Sequence, residues 1–403
     1  MPDSNQKIPA VIIGMEENGL GVARPLADEG IPCIALATPS WNPACKTSRC
    51  RVIHSRAWTR EAVIEDLIEL GRTLESKAPI LITKDEPVLW ISETRDELSK
   101  YFEINLPTED TVNLLMDKQL FTKIARQENW PVPLTWFVNS RGELDQCLGE
   151  MVYPCIIKPA TKNSEFRAKS PKKAWKIFTR EELERIYDMV AQWEKEVVIQ
   201  EWIEGGDDRV AYCLTYYDRN SQPLALFAGR KLRQWPIECG NTAIAAAAPK
   251  EWAPRIIELT DAIFRKVHYQ GLGSVEFKMR LGTDEPVIME PTVGRTNYQN
   301  EIAVLNGQNI PAIAYHDLAG GHFPASSTLR PYKLIDGSAE RKAAWQYHRA
   351  GRLTAGQWIQ DRSGHKKYMR FRSNDPGPYL ASVYIKLRRT AGRAVRSILG
   401  TAS

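Results

Sequence analysis

The 403-residue sequence predicts an α/β protein: an N-terminal parallel sheet with crossover helices, a longer α+β block, and a basic, partly helical C-terminal tail. Three observations carry this. Over residues 10–110, short apolar runs alternate with helical spacings, the pattern of βαβ units. From Asp117 the pattern changes to longer strands interleaved with helices. After about residue 322 the periodicity fades and the charge turns over. Residues 323–403 hold 16 Lys or Arg against 4 Asp or Glu, whereas the first 322 hold 38 against 45. The chain is an acidic body with a basic tail.

The elements come in order. Ala10-Val11-Ile12-Ile13 reads as a buried strand ending at Gly14, and Gly19 and Gly21 open a helix through Val22 and Leu26. Pro32–Leu36 and Pro79–Thr83 are further strands, separated by helical spacing over Ala62–Leu74. The turn Gly14–Gly21 misses the GxGxxG spacing and places Glu16 and Glu17 where a pyrophosphate would approach, so it reads as a plain strand-to-helix turn. Helices are expected at 117–128, 180–193 and 252–267. Strands are expected at 155–157, 197–199, 210–217, 224–230, 273–280 and 286–290.

Composition narrows the function. A hydrophobic fraction of 43% with 26% charged residues excludes a disordered or fibrous chain. No apolar run reaches the roughly 18 residues of a membrane helix. The polar start lacks a cleavage-site pattern, so no signal peptide and a cytoplasmic location are expected. Seven scattered cysteines without a CxxC pair read as reduced thiols. The basic tail is the one feature pointing to nucleic acid; no binding module accompanies it, so that partner is not expected.

Four pieces carry the chemistry. The first is Asp117-Lys118, followed by Phe121, Ala125 and the Pro131-Val132-Pro133 turn. The second is Ile156-Ile157-Lys158-Pro159, a lysine at a strand end. The third is Val198 through Gly205, a strand running into a polar hinge. The fourth places Glu276 and Glu290 between apolar residues on two successive strands. Lys118 and Lys158 suit polyphosphate oxygens. The hinge can offer backbone groups to an adenine edge, and Asp207 or Asp208 could hold ribose hydroxyls. Two carboxylates plus phosphate oxygens suit the octahedral shell of Mg²⁺.

In this order the pieces resemble the ATP-grasp superfamily, and within it the carboxylate–amine ligase group that includes D-aspartate ligase-like enzymes. The resemblance spans roughly residues 10–320 and includes the strand end Thr83-Lys84-Asp85-Glu86 and Leu106-Pro107. It implies a Rossmann-like substrate domain over 1–110 and a two-subdomain ATP-grasp domain over 111–322, divided near residue 200. The basic extension is then 323–403. It also implies that ATP converts a carboxylate to an acylphosphate that an amine attacks. Lys118 and Lys158 take the phosphate-binding places, Gln200, Glu201, Trp202 and Ile203 the adenine hinge, and Asp207 or Asp208 the ribose place. Glu276 and Glu290 match the Mg²⁺ ligands, with Mn²⁺ as the alternative ion. Loop 162–173 falls where the family has its phosphate lid, with Lys162, Arg167, Lys169, Lys172 and Lys173 in place of glycines.

Two departures matter. The family usually follows its second glutamate with Asn and Arg at two-residue steps. Here the run is Glu290-Pro291-Thr292-Val293-Gly294-Arg295, which leaves Thr292 as the oxygen donor and displaces Arg295 by one. Ser274 stands where many members carry an oxyanion-stabilising arginine. The expected replacement is Gly229-Arg230-Lys231-Leu232-Arg233, in which strand alternation would put Lys231 and Arg233 on one face and Arg230 on the other. The leading expectation is a ligase joining a small carboxylate to an amine. The alternatives are a thiol-ligating or bicarbonate-activating enzyme of the same fold, and a non-catalytic ATP-binding scaffold.

The tail adds one expectation of its own. On a helical wheel, residues 380–399 put Leu380, Val383, Tyr384, Leu387, Ala391, Val395, Ile398 and Leu399 on one broad face. Lys386, Arg389, Arg393 and Arg396 fall opposite, with Ile385 and Arg388 as exceptions, and no acid follows Asp375. Such a helix either packs its apolar face on the acidic body or lies on anionic lipid at the inner membrane face.

Overall fold

The computed structural model describes residues 7–159, 174–238, 240–295, 297–321 and 331–400. Apolar runs set the first sheet. Its strands are β1 (Ala10–Ile13), β2 (Cys33–Ala37), β3 (Arg51–His54), β4 (Ala78–Ile82) and β5 (Phe102–Glu103). Every residue of β1, β2 and β4 is buried, as parallel strands covered on both faces must be. The order β3-β2-β1-β4-β5 is parallel throughout and places a topological switch between β1 and β4. The crossovers are α1 (Glu17–Asp28), α2 (Arg60–Arg72) and α3 (Asp85–Glu93), followed by α4 (Arg95–Leu98) and α5 (Glu109–Met116).

The chain forms two compact units, one of residues 1–116, 206–276 and 291–403, the other of 117–205 and 277–290. The tail shares a unit with the N-terminal sheet. In the smaller unit, Asp117 accepts from the N–H groups of Gln119 and Leu120 and so starts α6 (Lys118–Gln127). Beyond it lie β6 (Thr135–Val138), α7 (Arg141–Cys147), β7 (Cys155–Pro159), β8 (Trp175–Ile177), α8 (Arg180–Val190) and β9 (Val197–Glu201). The strands pair antiparallel in the order β6-β9-β7-β8 around a core that includes Leu144, Ile157 and Ile199.

The larger unit resumes with β10 (Val210–Tyr217), β11 (Pro223–Trp235), β12 (Asn241–Ala247) and α9 (Ala253–Lys266). Next come β13 (Gly271–Met279) and β14 (Pro286–Val293), of which residues 277–279 and 286–290 belong to the smaller unit, then α10 (Asn300–Leu305) and α11 (Ile310–Ala319). The tail supplies β15 (Tyr332–Ile335), α12 (Gly337–Arg349), α13 (Ala355–Asp361), β16 (His365–Tyr368) and α14 (Gly377–Gly400). The sheet order is β14-β13-β10-β11-β12-β15-β16, so the basic extension completes a sheet instead of hanging from it. One core joins Leu20 and Leu26 of α1 to Tyr216, Phe227, Ile302 and Tyr315.

Two polar contacts fix α1 in that core. Pro25 cannot donate to the carbonyl of Gly21, four residues earlier, and Asn300 Nδ2 donates to that oxygen instead, at 3.1 Å. Arg24, also buried, donates to Asp375 at 2.9 Å and to the carbonyls of Met369 and Arg370 at 2.6 and 3.1 Å. Among the described residues Cys33, Cys45, Cys50, Cys147, Cys155 and Cys213 are free thiols, and burial pushes Cys33 up to about 12.

Candidate functional site

The smaller unit carries the strand-end lysine and the hinge. Lys158, on β7, donates to Gln200 Oε1 on β9 at 3.1 Å, and Gln200 Nε2 donates to Thr135 Oγ1 at 3.0 Å. The Gln200 amide thereby orients the Lys158 ammonium on the strand. Lys118 opens α6 and is exposed. In the hinge, the Glu201 carboxylate takes Arg280 at 2.9 Å and the Leu134 N–H at 3.2 Å, so it braces the strand. The backbone N–H groups of Glu201 and Trp202 donate to Leu134 and Pro154 carbonyls. Ile203 is buried, and its N–H has no acceptor among the described residues. Lys176 lies 4.5 Å from the Trp202 ring centroid. Glu290 is exposed on β14. Loop 162–173 lies outside the described residues.

In the larger unit, Asp207 and Asp208 separate. Asp207 is buried, accepting from Gln234 N at 3.0 Å, Gln234 Nε2 at 2.9 Å and Glu238 N at 3.0 Å. All of that serves the turn after β11. Asp208 is exposed and lines a cavity of about 540 Å³ with Gly206, Arg230, Arg233, Arg352 and Gln357.

The basic run on β11 departs from simple alternation. Register shifts between Lys231 and Gln234 mark a bulge, which inserts an extra residue and reverses the facing of the residues after it. Lys231 and Arg233 therefore do not share a face, contrary to the sequence expectation. Buried Lys231 reaches Glu276 Oε2 on β13 at 2.7 Å and Gln234 Oε1 at 3.2 Å. Arg233 turns to the tail, where it is buried against Glu340 at 3.1 Å and Asp361 at 2.5 Å. Arg230 shares the cavity with Arg233, lies 5.8 Å from the Trp252 ring centroid, and pairs with no carboxylate among the described residues. Gly229 is required here, since a Cβ would sit 2.4 Å from the Tyr212 ring. Burial and the Glu276 carboxylate together hold the Tyr212 hydroxyl well above the ordinary tyrosine range.

Ser274 is fully buried, and Asn297 Nδ2 donates to its hydroxyl at 2.7 Å. Arg295 in turn donates to Asn297 Oδ1 at 3.3 Å and pairs with Asp85 at the carboxyl end of β4. Arg295 thus connects to the Ser274 position through Asn297, a residue that sequence spacing did not single out. At the β1/β4 switch, Lys84 pairs with Glu16 at 2.9 Å. Thr292 is half-buried on β14. His316 pairs with Glu29 at 3.5 Å, away from these groups, and His322 lies outside the described residues. Among the described residues no cluster of three or more His, Cys, Asp or Glu could hold a metal.

No protein-family model matches the chain. The larger likenesses are consistent with one another. The biotin carboxylase domain of Hydrogenobacter thermophilus 2-oxoglutarate carboxylase, complexed with MgADP, ADP and bicarbonate, superposes with a TM-score of 0.61. It is 14% identical and matches 80% of this chain and 72% of that one. N5-carboxyaminoimidazole synthetase from Staphylococcus aureus, complexed with ADP, also gives 0.61, at 15% identity over 80% of both chains. The fold is that of the ATP-grasp enzymes. In sequence the chain is similar to D-aspartate ligase of Enterococcus faecium, 25% identical over 333 residues that cover 78% of this chain and 77% of the relative. These likenesses agree on the fold of ATP-dependent ligases, and the similarity to D-aspartate ligase runs along most of both chains.

Proposed function

We propose that the protein is an ATP- and Mg²⁺-dependent carboxylate–amine ligase that forms an acylphosphate and releases ADP and phosphate as the amine attacks. The likeness to D-aspartate ligase along most of both chains carries the reading. Lys118 and Lys158 bind phosphate oxygens, and the Ile203 N–H with the hinge carbonyls holds the adenine edge. Asp208 rather than the internally bonded Asp207 takes the ribose. Glu276, Glu290 and Thr292 hold Mg²⁺, which when bound neutralises charge on the phosphate oxygens. Arg230 and Arg295 supply positive charge to the substrate carboxylate and its phosphorylated form, and Lys231 balances Glu276. Arg233 acts by anchoring the tail. The amino-acid substrates meet the β1/β4 switch, beside Glu16, Lys84 and Asp85, where ligands of open α/β sheets bind.

Purified protein with ATP, Mg²⁺ and a matrix of D- and L-amino acids, D-aspartate first, is expected to release phosphate for particular acid and amine pairs. Mass spectrometry then identifies the condensed product. Lys158→Ala is expected to weaken ATP binding by about 1–3 kcal/mol. Tight ATP–Mg²⁺ binding without phosphate release for any pair would replace the ligase reading with the non-catalytic scaffold.

A further inference from the structure

The first turn of α14 is docked. Gly377 packs so closely that a Cβ there would lie 2.0 Å from the Lys46 carbonyl oxygen, and buried Ser382 donates to the Pro378 carbonyl at 2.8 Å. The apolar stripe beside this contact is not docked. Leu380, Tyr384 and Leu387, at i, i+4 and i+7, are 59%, 62% and 66% exposed. A helix packed on the acidic body would bury them. Phe371 and Tyr379, in an edge-to-face pair, extend the apolar surface.

Next to the stripe is a cavity of about 540 Å³ between α12, the end of β16 and α14. Its charged lining is Asp336, Arg341, Arg362, Arg370 and Lys386. Asp336 is committed to the N–H groups of Ser338 and Ala339 and to the Tyr298 hydroxyl. Arg362 pairs with Glu340, and Arg370 with Glu17. Arg341 and Lys386 face the cavity with no carboxylate partner among the described residues. Partial desolvation, and then Arg341 and Arg370, lower the exposed Lys386 from the usual lysine range against the opposing Asp336 carboxylate, so an entering anion would meet two neighbouring cations. One turn beyond Arg341 on α12, Trp345 is 60% exposed and carries Arg349 over its ring at 4.9 Å. Indole and guanidinium side chains of this kind favour the membrane–water interface.

We propose that α14 and this cavity form a docking surface for a bilayer containing anionic phospholipid. Leu380, Tyr384 and Leu387 enter the acyl boundary, and the cavity takes a headgroup phosphate on Arg341 and Lys386. Charge selects this occupant over a second copy of the chain, because an isologous contact would set one acid-poor basic face against another. Nothing in the assignment depends on the ligase reading.

The test is co-sedimentation of the full-length protein with vesicles of phosphatidylcholine alone or containing phosphatidylglycerol, at low and physiological salt. Binding is expected to the anionic vesicles only, and to weaken as salt rises. The variants L380S/Y384S/L387S and R341A/K386A are each expected to weaken it by about tenfold, with unfolding midpoints unchanged because the substituted side chains are exposed. Lys386→Gln alone provides a milder second variant. Absence of binding at low salt, equal binding to neutral vesicles, or binding indifferent to both variants would overturn the proposal. So would self-association, seen by light scattering and lost in L380S/Y384S/L387S, without vesicle binding.

Discussion

Glu276 and Glu290 receive the same role from sequence, yet their surroundings differ in a way that separates their variants. Glu276 is the counter-ion of buried Lys231, whereas Glu290 is exposed. Glu276→Gln leaves a buried ammonium unpaired, and the expected cost is about 3 kcal/mol, the low end for a broken buried pair because Glu276 is partly open. Glu290→Gln is expected to change stability by less than about 0.5 kcal/mol. If both hold Mg²⁺, each abolishes most phosphate release, and only the first also lowers the denaturation midpoint. Equal stability effects would show that Lys231 does not depend on Glu276. At Gly229 the limit is steric. Gly229→Ala forces a methyl into the Tyr212 ring and is expected to destabilise by about 1–3 kcal/mol in denaturant unfolding.

Among the elements, α1 holds a proline that ought to break it and does not. The helix survives because Asn300, 279 residues away in sequence, satisfies the carbonyl that Pro25 abandons. Asn300→Ala is expected to cost about 1–2 kcal/mol in the native background, where it leaves that buried oxygen bare. In a Pro25→Ala background the restored helical N–H covers the oxygen and the cost should shrink, giving a coupling of about 1 kcal/mol in a double-mutant cycle. A coupling near zero would mean that Asn300 serves another contact. Such long-range contacts limit what sequence can disclose. Strands β1, β2 and β4 were legible because burial on both faces makes them continuous apolar runs. The edge strand β3 is Arg-Val-Ile-His, and β5 has only two residues, so neither gives a periodic signal. In the tail, β16 reads His-Lys-Lys-Tyr and resembles a loop. At the site, Lys158 near its strand end and Glu276 between apolar residues of β13 were singled out from local pattern. The bulge that separates Lys231 from Arg233, and the Arg295–Asn297–Ser274 chain, arise from contacts between distant segments and leave no local trace.

For the whole molecule, one buried pair fastens the tail to the N-terminal sheet, and it runs against the overall charge balance, with the cation on the acidic body and the acid on the basic tail. Arg24 on α1 meets Asp375, the last acid in the sequence, and both are buried. Burial alone would raise the Asp375 carboxyl. The Ser48 N–H, the Thr47 hydroxyl and the Arg24 guanidinium outweigh it and hold Asp375 below the usual aspartate range. Since the folded value lies below the unfolded one, the carboxylate stabilises the fold at all pH above about 4, and that contribution is lost as pH falls through the folded value. Asp375→Asn should therefore cost about 3–5 kcal/mol at neutral pH by stranding a buried guanidinium. Its deficit should narrow as pH falls below about 4, where the unfolded chain's carboxyl takes up a proton that the folded carboxylate binds only at lower pH. Replacing both partners with apolar residues, Arg24→Met with Asp375→Leu, is expected to cost less than Asp375→Asn alone, because no buried charge is left over. Chemical denaturation of the three proteins from pH 3 to pH 8 checks each step. A deficit for Asp375→Asn that stays constant across that range would show that the carboxylate's charge is not what fastens the tail to the N-terminal sheet.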